Sequence, residues 1–287
     1  MKFKDNLLTH MIDSYIADLE NYYEREEATT MIYWLVEDFF GATRTRIAMT
    51  PDWRLSESEM LKLHFANKEL KRYKPVQYIV GKVPFMDLTL KVSPDVLIPR
   101  PETEQLVDWI MKMENQNELL VLDAGTGSGC IALALKQGWP DAKVWAYDKS
   151  EKAIEVAKLN AESNRLEVSF FVADMNQALV SSQSSFDVIV SNPPYVLQSE
   201  QSLMQPNVLD YEPHSALFVS DENPFHFYRA ILNQSSSGLL KGGRIYFEIN
   251  EQLGNEMVVL LENMNFVDIQ LQNDLNGKPR FIRAVKA

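Results

Sequence analysis

The feature that most restricts the fold is a short apolar stretch followed at once by a glycine-rich turn and an apolar helix. Residues 119–123 have the sequence Leu-Leu-Val-Leu-Asp, which is typical of a strand covered on both faces in a parallel sheet. Gly125, Gly127 and Gly129 follow, and apolar residues resume at helical spacing from Ile131. Glycines permit a tight turn and a close backbone approach to a ligand, and a helix N-terminus presents unpaired N–H groups. The stretch therefore predicts a strand–loop–helix unit that holds a nucleotide-like ligand.

Acidic residues follow this strand and each of the next two predicted strands. Asp123 ends the first strand, where it would attract an ammonium group and repel a diphosphate. Asp148 ends the second strand and is placed to accept hydrogen bonds from both hydroxyls of a ribose. The third strand leads to Asp174 and Met175, which would hold the edge and the face of an adenine.

The composition of the glycine loop narrows the choice of ligand. Thr126 and Ser128 separate the glycines, and the loop has neither the lysine of a phosphate-binding Gly-Lys-Ser/Thr motif nor the full dinucleotide spacing. Carboxylates for an amino group and a ribose, with glycines between them, favour S-adenosyl-L-methionine over NAD or ATP. A purely structural strand–helix turn with incidental acidic residues is the alternative interpretation.

A second motif, Asn192-Pro193-Pro194-Tyr195, follows directly after the apolar, β-branched strand predicted at 186–191. Two prolines cannot continue a strand ladder, so the strand ends at Asn192. Because proline fixes φ, the Pro193 carbonyl is held in a nearly invariant direction beside the Asn192 carboxamide. Two such acceptors suit the two hydrogens of a flat NH2 group, and Tyr195 offers an aromatic face to a planar or partly cationic group. The motif predicts a clamp for a nitrogen.

The first 75 residues contain no motif with chemistry of its own. Apolar residues recur at helical spacing, Thr50-Pro51 predicts the start of a helix, and Ser56 with Glu59 predicts a capping box. These patterns predict a small helical bundle at residues 1–75, a type of module that commonly docks a partner.

The linker at residues 76–98 contains alternating apolar residues, which predict a β-hairpin: Phe85, Leu88, Leu90 and Val92. Arg100 then lies between two prolines, and Pro101 can serve as the first residue of a helix. This segment is either a rigid connector or part of the cofactor or substrate side of the site, with Arg100 as a candidate cofactor ligand. Strand and helix alternate through residues 99–287, which predicts a doubly wound α/β sheet.

Composition and charge restrict the cellular compartment of the protein and the kinds of partner that it can bind. Lys and Arg number 28 against 40 Asp and Glu, and the resulting net charge of −12 argues against general affinity for nucleic acid phosphates. No apolar run reaches the roughly 18 residues of a membrane span, and residues 1–20 are amphipathic, unlike a secretory signal. Cys130 is the single cysteine, which excludes an internal disulfide and a thiolate metal cluster. We predict a cytoplasmic monomer that contains no metal, does not associate with a membrane and does not bind nucleic acid stably.

The glycine loop, Asp148 and the motif at 192–195 together resemble class I S-adenosyl-L-methionine-dependent methyltransferases that act on a planar nitrogen. The segment 98–104, Ile-Pro-Arg-Pro-Glu-Thr-Glu, narrows the resemblance to the PrmC (HemK) family. That family methylates the glutamine of the Gly-Gly-Gln motif in peptide chain release factors. The resemblance extends along nearly the whole chain, including Tyr-Glu-Pro at 211–213 and Glu248.

The resemblance implies a Rossmann-like methyltransferase domain at 99–287 preceded by a helical domain that docks the release factor. It implies that Asn192, Pro193 and Tyr195 are catalytic and that they bind the substrate glutamine together with Pro194. Further cofactor ligands are expected from the residues themselves. Together with those that the resemblance implies, the candidate cofactor ligands are Asp123, Gly125, Thr126, Gly127, Ser128, Gly129, Asp148, Asp174, Met175, Asn192 and Arg100.

The chain departs from the family pattern in two places. Residues 218–224 replace a glycine-rich stretch, and Asn250 replaces a glycine. Both are expected to lie away from the clamp.

Two other functions remain open. The same clamp could hold the exocyclic NH2 of adenine or guanine in a flipped nucleic acid base. The chain could also be a non-catalytic module that docks a partner.

Overall fold

The computed structural model describes residues 5–114, 118–177 and 185–287, and the chain divides into two compact units. The helical unit contains residues up to Gly81 together with 205–211, and the sheet unit contains 82–204 and 212–287. The three-part division expected at residues 75 and 98 stays a prediction. The helices of the helical unit are α1 (Leu8–Leu19), α2 (Arg25–Phe40), α3 (Arg44–Met49), α4 (Glu57–Leu70), α5 (Val76–Val80) and α9 (Pro206–Leu209).

The helical unit is built on amphipathic helices. On α1 the apolar residues recur three and four positions apart, so they form one buried face. The predicted capping box begins α4: the Ser56 N–H donates to Glu59 Oε2 (2.8 Å) and the Glu59 N–H donates to Ser56 Oγ (3.4 Å). The buried residues of α1 are Leu8, Met11, Ile12, Tyr15, Ile16 and Leu19.

One local prediction in this region is wrong, and a second holds for only part of its range. No helix starts at Thr50-Pro51, because α3 ends at Met49 and Pro51 lies in a turn. The next helix begins after Ser56, where the capping box is the stronger signal. The expected hairpin linker begins with the short helix α5, because the Pro75 carbonyl accepts the N–H groups of the first helical turn. This helix ends at Gly81, whose φ of +78° suits glycine.

The sheet unit contains the predicted hairpin and a seven-stranded sheet. The order of the strands across that sheet is β10-β11-β9-β6-β3-β4-β5. Strands β9, β6, β3, β4 and β5 are parallel, and β11 and β10 add an antiparallel edge. The strands of this unit are β1 (Lys82–Phe85), β2 (Leu88–Lys91), β3 (Leu120–Ala124), β4 (Lys143–Asp148), β5 (Ser169–Val172), β6 (Phe186–Ser191), β7 (Val196–Leu197), β8 (Phe218–Val219), β9 (Leu239–Glu248), β10 (Phe266–Asn273) and β11 (Pro279–Lys286). The helices are α6 (Pro101–Met113), α7 (Cys130–Gly138), α8 (Glu151–Asn164), α10 (His226–Gly238) and α11 (Gly254–Asn263).

The order of the strands reverses between β3 and β6. From β3 the chain continues outward to β4 and β5, and it then returns to place β6 on the other side of β3. Ligands of open α/β sheets bind beyond the carboxyl ends of the strands at such a switch point. The glycine loop follows β3 and Asn192 follows β6, so the topology brings both predicted motifs to one edge of the sheet.

A buried asparagine connects the hairpin to the glycine loop. Asn160 on α8 accepts from the Lys91 N–H (2.6 Å) and donates to the carbonyls of Lys91 (3.0 Å) and Ser128 (2.9 Å). The hairpin is therefore linked through Asn160 to the Ser128 carbonyl of the glycine loop. Within the part of the chain that the structure describes, no helix is both long and apolar enough to cross a bilayer.

Candidate active site

The glycine loop adopts the conformation that its sequence predicts. Gly125, Gly127 and Gly129 have φ angles of +76°, +54° and +84°, which are unfavourable for other residues. The N–H groups of Gly125 and Thr126 both donate to the Tyr147 carbonyl at 2.9 Å, which fixes the loop against the end of β4. A Cβ built on Gly127 would meet no atom within 4 Å, so this part of the loop faces open space.

The Asp123 carboxylate lies beneath the loop. It is fully buried, and its Oδ2 accepts from the Thr126 hydroxyl (2.6 Å) and the Ala132 N–H (3.2 Å). Its Oδ1 has no hydrogen-bond partner among the described residues. Burial raises the pKa of Asp123 to about 7, although the two hydrogen bonds oppose this shift. These contacts make Asp123 a support of the loop, and its role as partner of a ligand ammonium stays a prediction.

Asp148 lies where the ribose prediction needs it, at the carboxyl end of β4. Its Oδ2 accepts from the Gly127 N–H (3.0 Å) and its Oδ1 from the Ser150 N–H (2.9 Å). Each carboxylate oxygen keeps a second lone pair for a hydroxyl group. Burial raises the pKa of Asp148, and these N–H donors oppose the shift.

Asp174 and Met175 follow β5, the strand next to β4 in the sheet. A Cβ on Gly125 would overlap Met175 Cε, so the methionine side chain covers that glycine. The Asn176 N–H and Lys149 hold the pKa of Asp174 below its usual range, and Lys149 Nζ lies 2.9 Å from Asp174 Oδ2.

Gln234 on α10 is a supporting residue that the sequence analysis missed. Its Nε2 donates to the carbonyls of Met175 (2.7 Å) and Gln177 (2.8 Å), and its Oε1 accepts from the Tyr147 hydroxyl (2.8 Å). A single glutamine in a helix gives no local signal of such a contact. Gln234 therefore fixes the segment that carries Met175.

The clamp motif follows β6 as predicted. Among the described residues, the Asn192 side chain makes one hydrogen bond, in which its Nδ2 donates to Thr103 Oγ1 (3.2 Å). Neither Asn192 Oδ1 nor the Pro193 carbonyl accepts a hydrogen bond from the described part of the chain. The motif thus presents two unused acceptors, while Ser191 Oγ donates to the Ala124 carbonyl (2.6 Å) and joins the ends of β6 and β3.

A buried carboxylate lies behind the clamp. Glu248, at the end of β9, is 1% exposed. Its Oε1 accepts from the Tyr195 hydroxyl (2.9 Å) and its Oε2 from the Thr103 hydroxyl (2.8 Å). Burial raises the pKa of Glu248, and these two hydroxyl donors and nearby Arg280 act against the shift.

The expectation that both departures from the family pattern lie away from the clamp is wrong. Asn250 is buried, and its Nδ2 donates to the Tyr195 carbonyl (3.2 Å) and to Glu200 Oε2 (2.9 Å). The other departure contains β8, which pairs with β7 immediately after Tyr195. A side chain at position 250 supplies a hydrogen bond to the clamp that a glycine lacks, which is why this substitution bears on the site.

Arg100 makes contacts that the sequence analysis did not foresee. Its Nη2 donates to Glu212 Oε1 at 2.5 Å, and Glu212 Oε2 accepts the Ile98 N–H at 3.1 Å. The buried Glu212 thereby binds the proline-rich segment at residues 98–104 through both of its carboxylate oxygens. The role of Arg100 as a cofactor ligand stays a prediction.

Comparison with known proteins gives the family. The N-terminal domain of PrmC matches residues 11–81, and the methyltransferase small domain matches residues 103–209. The chain is 39% identical to the release factor glutamine methyltransferase of Flavobacterium psychrophilum, over 96% of this chain and 98% of that protein. It is 41% identical to the protein of the same name from Bacteroides thetaiotaomicron, over 95% of this chain and 98% of that protein. The chain belongs to the release factor glutamine methyltransferase family.

The family confirms the resemblance inferred from the sequence and the assignment as a methyltransferase. A methyltransferase from Pyrococcus furiosus has the same fold, with a TM-score of 0.53 and 17% identity over 81% of this chain and all of that one. The predicted fold class is thus confirmed, and S-adenosyl-L-methionine is the cofactor.

The residues at the sheet edge fit this cofactor. The open space at Gly127 admits a ligand against the backbone, and Asp148 has lone pairs for ribose hydroxyls. The loop from Gly125 to Gly129 contains no basic residue for a phosphate, in keeping with a ligand that has none.

Replacing Gly125 by Ala should weaken the binding of S-adenosyl-L-methionine by about tenfold or more, since the added methyl would displace Met175 from the loop. The matched control is Gly242→Ala, which has a similar φ of +75° but open space around the added Cβ. Isothermal titration should give the control wild-type affinity. Equal affinities of the two variants would contradict the prediction that Met175 holds the adenine of the cofactor.

Replacing Asp123 by Asn should flatten the dependence of stability on pH. The folded-state pKa of about 7 exceeds the ordinary value of 3.8, so the folded wild-type protein binds more protons between these values and loses stability as pH rises through this window. The free energy of unfolding, measured in urea at pH 4.5 and pH 8, should fall by about 1–4 kcal/mol more in the wild type than in Asp123→Asn. Other titrating groups are common to both proteins. Parallel pH profiles would show that Asp123 does not titrate in this range.

Proposed function

We propose that this protein transfers a methyl group from S-adenosyl-L-methionine to the side-chain amide nitrogen (N5) of the glutamine in the Gly-Gly-Gln motif of peptide chain release factors. The observation that supports this most directly is the pair of unused acceptors, Asn192 Oδ1 and the Pro193 carbonyl, at the switch point of the sheet. A carboxamide NH2 has two hydrogens to donate and requires two such acceptors.

The chemistry explains why this clamp is needed. An amide nitrogen is a poor nucleophile, because its lone pair is delocalised into the carbonyl group. Accepting both N–H hydrogens at Asn192 and Pro193 favours lone-pair density on nitrogen and stabilises the positive charge that develops there during transfer. S-adenosyl-L-methionine, when bound, supplies an electrophilic methyl group attached to a sulfonium. The proton becomes acidic only after transfer, so the residues of the clamp need not include a strong base.

We assign the remaining site residues to supporting roles on the same basis. The loop residues Gly125, Thr126, Gly127, Ser128 and Gly129 approach the cofactor through their backbone, Asp148 accepts from its ribose, and Asp174 with Met175 holds its adenine. Tyr195 and Pro194 bind the substrate beside Asn192. These assignments rest on the position of each residue at, or in the loop after, the carboxyl end of β3, β4, β5 or β6.

The nucleic acid alternative uses the same clamp but lacks an electrostatic basis. The net charge of the chain is −12, which is unfavourable for a phosphate backbone. In the helical unit, three neighbouring basic residues have acidic partners: Lys71 pairs with Asp18 at 2.7 Å, while Arg72 and Lys74 share Glu69 at 3.2 and 3.5 Å. We therefore favour a protein substrate, and we propose a monomer that works in the cytoplasm, where release factors act, without stable association with nucleic acid or membrane.

The deciding experiment measures transfer of labelled methyl from S-adenosyl-L-methionine to an unmethylated release factor and to its Gly-Gly-Gln→Gly-Gly-Ala variant. DNA and ribosomal RNA are tested in parallel. We expect label on the unaltered factor alone. Label on nucleic acid would support the alternative enzyme, and absence of label on every acceptor would support the non-catalytic docking module.

Replacing Asn192 by Ala should lower kcat by about 100-fold or more, by analogy with the loss of one oxyanion-hole donor. Asn263→Ala, at an exposed position on α11, is the control and should have wild-type turnover. Rates are measured with the full-length release factor under single-turnover conditions. An Asn192→Ala enzyme with unimpaired turnover would eliminate the clamp mechanism.

A further inference from the structure

Thr103 lies between the buried Glu248 carboxylate and the clamp. It is 2% exposed, at the start of α6, and its hydroxyl oxygen contacts both Glu248 Oε2 (2.8 Å) and Asn192 Nδ2 (3.2 Å). The three side chains come from α6, the end of β6 and the end of β9, so they meet only in the folded sheet unit.

The hydrogen bonds in this chain of contacts have a fixed direction. An ionised carboxylate only accepts, so the single hydrogen of the Thr103 hydroxyl is directed to Glu248. The Thr103 oxygen is then left as an acceptor, and only the NH2 end of the Asn192 carboxamide can donate to it. Two hydroxyl donors, from Thr103 and Tyr195, favour the ionised, accepting state of the carboxylate and oppose the effect of burial.

This direction matters because the two ends of a carboxamide have nearly the same size and shape. Rotation by 180° about the last side-chain bond exchanges the oxygen and the NH2 group, and only the surrounding hydrogen bonds decide between them. A rotated Asn192 would face the substrate NH2 with another NH2, so donors would meet donors.

We propose that Thr103 and Glu248 are positioning residues, which orient the Asn192 carboxamide so that Oδ1 faces the substrate nitrogen. This inference rests on the proposed function and deepens it, because it names the residues that determine the polarity of the clamp. It also predicts a specificity: a correctly oriented clamp accepts the NH2 of glutamine and repels the carboxylate of glutamate.

The test compares Thr103→Val, which has nearly the same shape but no oxygen, with Thr103→Ser, which keeps the hydroxyl. With a release factor as substrate, Thr103→Val should lower kcat by about 10- to 100-fold with little change in the affinity for S-adenosyl-L-methionine, and Thr103→Ser should stay within about threefold of wild type. Combined with Asn192→Ala, Thr103→Val should cause no further loss, because Thr103 acts through Asn192.

A second readout separates orientation from general structure. A release factor with Gly-Gly-Glu in place of Gly-Gly-Gln should bind the wild-type enzyme poorly. In Thr103→Val the Asn192 carboxamide is free to rotate, so the affinity for the glutamate factor, relative to that for the glutamine factor, should rise by about tenfold when measured as an inhibition constant. A merely destabilised site would weaken both factors alike. In the wild-type protein, an NMR cross-peak between the Asn192 side-chain NH2 and the Thr103 methyl group is expected; its absence overturns the proposal even if Thr103→Val does not fold.

Three further results would overturn the inference: wild-type turnover in Thr103→Val, an equal loss in Thr103→Ser, or a loss in the double variant that multiplies the two single losses. A wild-type enzyme that methylates no release factor contradicts the proposed function instead, so the two failures are distinguishable.

Discussion

The site depends on two parallel strands that end side by side. β3 and β6 are neighbours in the sheet although about sixty residues separate them in sequence, and the Ser191 hydroxyl joins their ends by donating to the Ala124 carbonyl at 2.6 Å. The glycine loop begins on one side of this bond and the clamp on the other. The proposed methyl transfer requires donor and acceptor to be held together, and the adjacency of these two strand ends favours that proximity.

Buried carboxylates stabilise the local geometry at this edge. Asp123 and Glu248 are almost inaccessible to solvent, and burial raises the pKa of both. Removing a carboxylate from water is costly unless hydrogen bonds compensate. Here the donors are the loop residues Thr126 and Ala132 for Asp123, and Thr103 and Tyr195 for Glu248. Each carboxylate therefore favours one conformation of the segment that surrounds it, which suits a site that must be organised before its ligands arrive.

Most of the sheet unit and the principal motifs were predictable, because their signals are local. Continuous apolar runs indicate buried parallel strands, glycines indicate the loop at Gly125, and two prolines end a strand at Asn192. The failures arose where a local signal was weak or where a contact was distant in sequence. Thr50-Pro51 has the pattern of a helix start, but the helix begins at the capping box that follows it. No sequence pattern near Gln234 indicates that its side chain holds the segment that contains Met175.

The proline-rich segment illustrates what a sequence pattern leaves out. Its prolines restrict the backbone, and Pro101 does begin α6 as expected. Its polar side chains have separate long-range partners: Arg100 contacts Glu212, Thr103 contacts Glu248, and Glu104 Oε1 accepts the N–H of Met86 in the hairpin turn at 2.6 Å. Because the prolines restrict the backbone already in the unfolded chain, less conformational entropy is lost when these side chains are held in place. The sequence presented this segment as either a connector or a part of the site, and the structure shows how the two are compatible, because a rigid connector lets Thr103 reach Asn192 in a defined orientation.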